Sequence, residues 1–194
     1  MVSNAQAVTS ESAPVRWLEE VMHSLHDEFQ SKQAQFGDPV KLRKFFEERV
    51  FKYWALDKMA RAVVGSAWRD MTPSQQAHWQ RIWQQTILRY FMIAMKYYDG
   101  TLPTLEKSPE CVSAQRCWVR SHIEISGHKT VDLDFFLVKR RDQQWKIADI
   151  RVAGISLVLH KRGENLAVIR TKGIDSLLAI SEKKNQKALG DVSG

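Results

Sequence analysis

The fold class is decided by residues 117–137, which read CWVRSHIEISGHKTVDLDFFL. Side chains alternate between two faces through both halves of this stretch, as they do in half-buried β-strands. Gly127-His128 lies between the halves and predicts a hairpin turn. The positions that share the buried face are Cys117, Val119, Ser121, Ile123 and Ile125, followed by Val131, Leu133, Phe135 and Leu137. The stretch therefore predicts two antiparallel strands with one apolar face.

The half of the chain before this stretch has helical periodicity instead. Thr72-Pro73-Ser74-Gln75 matches a capping box with proline at the first helical position. Pro14 and Asp38 are typical of two earlier helix starts, the first as a first-turn proline and the second as an N-cap. The predicted helices begin near Pro14, Asp38, Leu56 and Thr72, and the last of them runs to Asp99, before Gly100.

The end of the chain adds a third strand and two short helices. Alternation continues from Trp145 to Val158 but breaks near Asp149 and again at Gly154, which predicts a bulge or a bend. Helices followed by an antiparallel meander define an α+β protein. The short helices are predicted around 166–169 and 174–178. We expect a flexible segment over 1–13, one domain over 14–182 and a flexible tail over 183–194.

The composition is that of a globular protein with a basic surface. In a chain of 194 residues, hydrophobic residues make up 44% and charged residues 26%, and the formal net charge is +7. A basic balance favours acidic partners. The basic residues are dispersed, however, and the sequence contains no zinc finger, RNA-recognition motif or long basic helix. We therefore expect no nucleic-acid partner.

Two features bear on the compartment of the protein. Ala5-Gln6-Ala7 fits the small-x-small pattern cut by signal peptidase, which indicates the remnant of a removed secretion signal. No stretch has the roughly 18 consecutive apolar residues that span a bilayer. Cys111 and Cys117 would close a hairpin if they formed a disulfide in an oxidising compartment, and two free thiols are the alternative.

No catalytic or metal-binding set assembles from the sequence. Residues 154–158 begin like a nucleophile elbow but lack its second glycine. His23 and His26 lie one helical turn apart, but no further ligand pair has a matching spacing. Asp149 is interpreted as a buried, hydrogen-bonded carboxylate, and only it and His122 are candidates for an enzymatic pocket. We therefore predict neither catalysis nor a metal site.

Residues 90–95 are apolar on nearly every side of the predicted long helix. Something has to cover both sides of such a helix segment. A dense core would do this, and so would an apolar ligand in a cavity. Met92 and Met95 favour a ligand, because methionine adapts to variable shapes.

Six motifs, in order along the chain, carry a family resemblance from about Leu42 to Leu178. They are Met59-Ala60 to Val64-Gly65 with Trp68-Arg69; Met71-Thr72-Pro73-Ser74-Gln75; Tyr97-Tyr98-Asp99-Gly100; Trp145-Lys146-Ile147-Ala148-Asp149-Ile150; Gly154-Ile155-Ser156-Leu157-Val158; and Ile169-Arg170-Thr171-Lys172-Gly173-Ile174-Asp175-Ser176-Leu177. Each motif is weak alone, but six in this order are specific. The sequence resembles the MlaC family, also called the toluene-tolerance or ABC-transporter auxiliary component family.

The resemblance implies a nuclear-transport-factor-like fold, in which helices pack on a curved antiparallel sheet around an apolar cavity. It implies a soluble periplasmic carrier that shuttles phospholipid between outer-membrane and inner-membrane complexes and maintains outer-membrane lipid asymmetry. Phospholipid would be the cargo, with no cofactor. The expected partners are an inner-membrane ABC transporter complex with an MCE-type subunit and an outer-membrane lipoprotein complex, and the carrier is expected to be a monomer.

Two sets of residues are predicted on this basis. The acyl chains would lie between the helix segment 90–95 and one face of the strands. The predicted pocket lining is Met59, Val63, Leu88, Phe91, Met92, Met95, Val119, Ile123, Leu133, Phe135, Ile150, Val152 and Ile155. The predicted docking surface for acidic partners or headgroups is Arg140, Arg141, Lys161 and Arg162, near the turns that flank the last strand.

Three alternatives remain at this point. The chain could carry another lipid, such as a hopanoid. It could be an enzyme on the same fold, which would bring polar groups together in the cavity. It could also be a scaffold with a solid core. Lipid that stays bound through purification would distinguish a carrier from an enzyme or a scaffold.

Overall fold

The computed structural model describes residues 12–125 and 129–190. The longer helices are α1 (Ala13–Lys32), α2 (Pro39–Phe45), α3 (Leu56–Ala62), α4 (Pro73–Ala94), α5 (Leu157–Lys172) and α6 (Ile174–Gly190). The strands are β1 (Thr104–Leu105), β2 (Glu110–Ser113), β3 (Arg116–Val119), β4 (Ser121–Ile125), β5 (Lys129–Lys139), β6 (Trp145–Val152) and β7 (Ile155–Ser156). The predicted Gly127-His128 turn and the Ala5-Gln6-Ala7 motif lie outside the described residues.

The helix starts are those that the capping residues predict. The amide of Gln75 donates to Thr72 Oγ1 at 3.2 Å, and the amide of Thr72 donates to Gln75 Oε1 at 2.9 Å, which is the reciprocal pair of a capping box. Asp38 caps α2 by accepting from the amide of Val40 at 2.8 Å. Local hydrogen bonding therefore fixes where both helices begin.

The strands form one antiparallel sheet in the order β1-β4-β5-β3-β2, with β6 on the other side of β5. Phe136 pairs with Asp149 and Leu137 pairs with Ile147, so Ala148 is an extra residue in β6. This is the predicted irregularity near Asp149, and it bends the strand. The sheet curls into a half-barrel, and the predicted α+β class with helices packed on a curved antiparallel sheet is confirmed.

The interior consists of two groups of buried apolar side chains. The sheet cluster joins α1 to the apolar face of the sheet and comprises Val15, Leu18, Cys117, Val119, Phe135, Leu137, Trp145 and Ile147. The helix cluster lies among α2 to α6 and includes Phe46, Met59, Val63, Trp79, Trp83, Leu88 and Leu177. Trp54 packs against both clusters and joins them.

The predicted ends of the long helix and of the last strand are wrong. The helix α4 ends at Ala94 and continues only as the 3₁₀ turn Met95–Tyr97, short of the predicted Asp99. The predicted strand to Val158 ends at Ser156, because this side chain caps α5 by accepting from the amide of Leu159 at 3.0 Å. The chain therefore turns into a helix where alternation suggested a strand.

The predicted flexible tail over 183–194 is also wrong for residues 183–190, which continue α6. Asn185 and Leu189 are buried in this part of the helix. Asn185 donates to the carbonyl of Ile82 at 2.9 Å and thereby attaches α6 to α4. The lysines of this segment are the solvated side of a packed helix, not a tail.

Candidate functional site

The candidate ligand site is the boundary between the two clusters, where apolar side chains are only partly buried. Trp54 lies at its centre, with its ring centroid 5.2 Å from that of Phe91 on α4. We call this boundary the seam. Its residues are Met22, Trp54, Leu133 and Ile150, which pack against the sheet cluster, and Leu25, Phe91 and Met95, which pack against the helix cluster.

The strand pairing places the predicted sheet residues on one face. Val119 lies opposite Phe135, which in turn lies opposite Ile150. Leu133 lies opposite Val152. Directly paired residues project to the same side of a sheet. Ile123 joins them through its pairing with Val131, two residues before Leu133 on β5.

Burial divides the predicted lining residues into two groups. Four of them have no exposed surface and are packed core side chains in this structure, namely Met59, Val63, Leu88 and Val119. A side chain with no accessible surface borders no space as large as a water molecule, so a lining role for these four stays a prediction. Phe135 is also buried, whereas Phe91, Met95, Ile123, Leu133 and Ile150 are partly buried.

Three predicted lining residues are not members of the seam. Met92 lines a cleft with Val40 and Leu189, on the outer side of α4, away from the seam. Val152 is 44% exposed and Ile155 is 64% exposed at the end of the sheet. The rotation between adjacent residues of a helix explains the position of Met92, since its neighbour Phe91 is the residue that contacts Trp54. A lining role for Met92, Val152 and Ile155 therefore stays a prediction.

A cleft of about 810 Å³ lies on the other face of the sheet, between the strands and α5. Its floor is aromatic, because the rings of Trp118 and Phe136 lie 4.9 Å apart. Arg151 stacks on Trp118 at 4.0 Å and also reaches Asp134 at 3.3 Å. We call it the cationic cleft, since its lining includes the cations Lys58, Arg116, Lys139, Arg151 and Arg162.

The four predicted docking residues do not form one patch. Arg140 pairs with Asp57 at 2.9 Å. Arg162 lines the cationic cleft and donates to the carbonyl of Ala62 at 2.6 Å. Lys161 lies on another side of α5, in a cleft with residues of α4 and α6. The predicted single docking patch is corrected here. Lys161 and Arg162 are adjacent on α5, and adjacent residues of a helix project about 100° apart.

Arg141 is exposed in the turn before β6. The turn residue next to it, Arg140, is held by Asp57, next to Lys58 on the rim of the cationic cleft. Five basic side chains face the cationic cleft, and Arg162 is the predicted docking residue among them.

Asp149 is the buried, hydrogen-bonded carboxylate that the sequence predicted. It accepts from Ser156 Oγ at 2.5 Å and from the amides of Val158 and Ile150 at 3.0 and 2.8 Å. Burial raises the pKa of the Asp149 carboxyl above its ordinary value, although these hydrogen bonds act to lower it. Both carboxylate oxygens of Asp149 therefore accept hydrogen bonds, and these bonds join β6 to the start of α5.

Asp149 and His122 do not converge on a common space. His122 pairs with Asp132 near the start of β5, whereas Asp149 pairs with Phe136 further along the same strand. His26, the other histidine considered, bonds through Nδ1 to the hydroxyl of Tyr98 at 2.7 Å. Within residues 12–125 and 129–190, no group of three or more metal-ligating side chains occurs.

Two further features are the paired cysteines and the length and polarity of the helices. Cys111 and Cys117 are joined by a disulfide between the adjacent strands β2 and β3, where they are direct pairing partners. None of the helices in the described ranges is both long and apolar enough to span a bilayer. The disulfide attaches the edge strand of the sheet to its neighbour.

Trp54 and the α1 residues Met22 and Leu25 are members of the seam that sequence reasoning missed. Trp54 ends an aromatic-rich stretch, residues 45–54, which was a signal for dense packing. Its position against both clusters depends on the pairing of Trp54 with Ile147, and the amide of Ala55 donates to the Ile147 carbonyl at 2.8 Å. Local sequence patterns cannot predict a contact between residues this far apart in the chain.

These features define a class of protein in which helices and a curved antiparallel sheet leave a partly open apolar seam between them. The family model described as MlaC protein matches residues 19–182. The chain therefore belongs to the MlaC family, and the resemblance noted in the sequence is confirmed.

Two relatives place the chain among known proteins. The intermembrane phospholipid transport system binding protein MlaC of Haemophilus influenzae is 21% identical over 172 residues, which cover 87% of this chain and 80% of that protein. The phospholipid-binding protein from Ralstonia solanacearum, solved in complex with a phospholipid, is similar in structure with a TM-score of 0.80. At 16% identity, the match covers 90% of this chain and 97% of that one, and it shows a shared fold.

Proposed function

We propose that this protein is a periplasmic phospholipid carrier that shuttles lipid between outer-membrane and inner-membrane complexes and so maintains outer-membrane lipid asymmetry. The observation that carries the proposal is the seam, where apolar side chains from α1, α4 and the sheet are left partly buried. Membership of the MlaC family and the similarity to a phospholipid transport protein and to a phospholipid-binding protein support the same function.

The energetics favour an acyl chain as the occupant of the seam. Each methylene group removed from water contributes about 0.8 kcal/mol, so two acyl chains contribute on the order of 20 kcal/mol before the costs of binding. Partly exposed Phe91, Leu133 and Ile150 lose further apolar surface when a chain covers them. Met22 and Met95 are flexible enough to follow chains of different shape.

An apolar seam binds by burial and dispersion, which are not directional. No single polar group is therefore essential for holding the chains, and the proposal requires no catalytic residue. The headgroup stays near the water-exposed end of the seam. This separates a carrier from an enzyme, in which the loss of one or two polar residues abolishes activity.

The cationic cleft is the proposed docking surface for the membrane complexes. Four of its cations, Lys58, Arg116, Lys139 and Arg162, surround an aromatic floor, which fits an acidic partner segment with apolar side chains. Such a segment could belong to the MCE-type subunit of an inner-membrane ABC transporter or to an outer-membrane lipoprotein complex. We propose that the carrier docks there as a monomer.

The experiment is lipid uptake by delipidated protein from phospholipid vesicles. Leu133→Trp places a large ring in the seam, and Val112→Trp adds the same ring at an exposed position of β2 as the matched control. We expect the unaltered protein and Val112→Trp to take up lipid, and Leu133→Trp to take up several-fold less. Equal uptake by both variants, or none by the unaltered protein, contradicts the proposal.

A further inference from the structure

A small cleft of about 270 Å³ lies between α4, α5 and α6. We call it the helix cleft. It opens on a different side of α4 from the seam, since Arg89 lines it while Phe91 contacts Trp54. The side chains with charge or hydrogen-bonding groups that line it are Trp79, Trp83, Thr86, Arg89, Lys161, Glu164, Asn165, Ser181, Lys184 and Asn185.

Arg89 is a buried cation whose charge has no ionic partner among the residues that the structure describes. Its side chain is 8% exposed, and its Nε is buried without a hydrogen-bond partner there. The guanidinium lies 5.0 Å from the ring centroid of Tyr90. A cation–π contact offsets only part of the cost of burying an unpaired charge. An anion in the helix cleft would supply the missing partner.

Trp83 supplies a second unsatisfied donor to the helix cleft. Its indole is almost completely buried, and Nε1 has no hydrogen-bond partner within residues 12–125 and 129–190. The neighbouring polar groups are already engaged, since Asn185 donates to Thr86 at 3.0 Å and to the carbonyl of Ile82 at 2.9 Å. Buried polar groups in proteins are nearly always paired, so two unsatisfied donors on residues that line one cleft favour an acceptor there.

Two lysines increase the positive charge of the helix cleft. Lys161 lies 5.6 Å from the ring centroid of Tyr90, the ring that Arg89 also contacts, and Lys184 lines the cleft as well. Burial lowers the pKa of the Lys161 ammonium, but its interactions with Glu164 and Tyr90 outweigh burial and leave the pKa above its ordinary value. Lys161 therefore stays charged.

Glu164 offsets only one of the three positive charges in the helix cleft. It is the acidic residue in the lining, and its carboxylate binds Lys161 at 2.6 Å and His160 at 3.2 Å. The side chain is half exposed, which leaves the buried Arg89 without compensation. Three cations and one carboxylate leave a local charge that matches a dianion.

We propose that the helix cleft binds a phosphate-class oxyanion, with Arg89 and Trp83 as donors and Lys161 and Lys184 as charge partners. The guanidinium fork matches the oxygens of a phosphate group. A phosphate carries about −1.5 to −2 charges at neutral pH, which suits the local excess. The volume is smaller than the roughly 300–1,000 Å³ of drug-sized ligand pockets, so it accepts a phosphate group rather than acyl chains. The anion is either free phosphate or the headgroup of a lipid.

The first arm of the test titrates inorganic phosphate into the purified full-length protein, against chloride at equal ionic strength. Calorimetry and the midpoint of thermal unfolding are the readouts. Arg89→Met removes the charge and keeps the length, and Arg170→Met removes an exposed charge from α5 as the matched control. Loss of a charged hydrogen-bond donor should weaken binding about tenfold or more.

We expect phosphate to bind and to raise the unfolding midpoint saturably for the unaltered protein and for Arg170→Met, but not for Arg89→Met. An equal phosphate effect on all three proteins overturns the proposal, because it then reflects a general salt effect. If Arg89→Met does not fold, Lys184→Met and Trp83→Phe replace it. Each should weaken phosphate binding, and unchanged binding in both overturns the proposal.

The second arm distinguishes the two sources of the phosphate group, and it uses vesicles of phosphatidylglycerol with native mass spectrometry. If free phosphate is the ligand, Arg89→Met keeps its full lipid load and loses only phosphate binding. If the headgroup is the ligand, inorganic phosphate binds weakly and Arg89→Met loses lipid relative to Arg170→Met. If neither phosphate binding nor the lipid load depends on Arg89, while the unaltered protein still binds lipid, the anion site is rejected and the proposed carrier function stays intact.

Discussion

Two neighbouring regions of this protein contain the same kinds of side chain but differ in how they are packed. In the helix cluster, Met59, Val63 and Leu88 have no exposed surface. In the seam, Phe91, Leu133 and Ile150 are of similar size and polarity but remain partly accessible. The core residues are fully covered by protein, whereas the seam residues keep part of their apolar surface in contact with water. We propose that the first group stabilises the fold and that the second is covered by a ligand.

The strand β6 contains both kinds of residue within three positions. Ile147 belongs to the sheet cluster and is buried, and Ile150 packs against it from the seam. Their separation is the consequence of the extra residue Ala148, which restores Ile150 to the apolar face after the bulge. This pair allows the comparison to be tested within a single strand.

The largest expected effect is on stability, from Ile147→Ala. Removing a buried isoleucine costs about 2–5 kcal/mol, because a cavity remains. Ile150→Ala should cost clearly less, on the order of 1 kcal/mol, since part of that side chain is already in water. Urea unfolding monitored by tryptophan fluorescence measures both. If the two variants lose equal stability, the seam is as well packed as the core and the comparison fails.

The disulfide should contribute to stability but not to lipid binding. Replacing Cys111 and Cys117 by serine should cost about 2 kcal/mol, a small value for a disulfide because the loop that it closes is short. The bond attaches the edge strand β2 to β3, away from the seam residues of β5 and β6. Lipid per folded protein should therefore stay unchanged. A lipid loss larger than the loss of folded protein would show that β2 helps to form the ligand site.

Asp149→Asn should destabilise the protein by about 1–2 kcal/mol, because the acceptor for Ser156 Oγ is lost. The raised pKa of Asp149 means that the folded state keeps its proton at a pH where the unfolded chain has lost it. This carboxyl therefore makes the free energy of unfolding fall as pH rises from the ordinary aspartate pKa through the raised value. Asp149→Asn should lack that fall, as urea melts across this pH range would measure. An identical slope in both proteins would assign the pH dependence to another group.

The smallest effect on stability is expected at the cationic cleft. Lys58→Glu and Arg116→Glu change exposed charges, so stability should change by less than about 0.5 kcal/mol. Delivery of lipid to membrane complexes should slow, most strongly at low salt, because such charges act on the rate of encounter. Arg170→Glu is the matched control on α5. Delivery rates that are equal for all variants at low salt would remove this cleft from the docking surface.

The sheet side of the candidate site could be predicted from the sequence because side chains alternate strictly along a strand. Leu133 and Phe135 share a face once β5 is recognised, and the register places Ile150, which was also predicted, opposite Phe135. The helix side was less predictable. Residues 90–95 are apolar all round, so the pattern could not tell that Phe91 faces Trp54 while Met92 faces Val40 and Leu189.

Long-range packing also determines the structure of the end of the chain and the burial of Arg89. Lys183 and Lys184 suggested a tail, but Asn185 and Leu189 bury against α2 and α4 once those helices are in place. Arg89 looked like one basic residue in a dispersed set. Its lack of an ionic partner within the described part of the chain follows from the packing of three helices, which no local pattern encodes.

The central claim is that the seam holds phospholipid, and native mass spectrometry of protein purified from bacteria tests it most directly. The account predicts a species heavier than the polypeptide by the mass of a diacyl phospholipid, confirmed by extraction and by fragmentation of the released lipid. Leu133→Trp, purified identically and folded to the same extent, should be mostly free of lipid. A bare polypeptide mass for the unaltered protein, or an equal lipid load in Leu133→Trp, would contradict the claim.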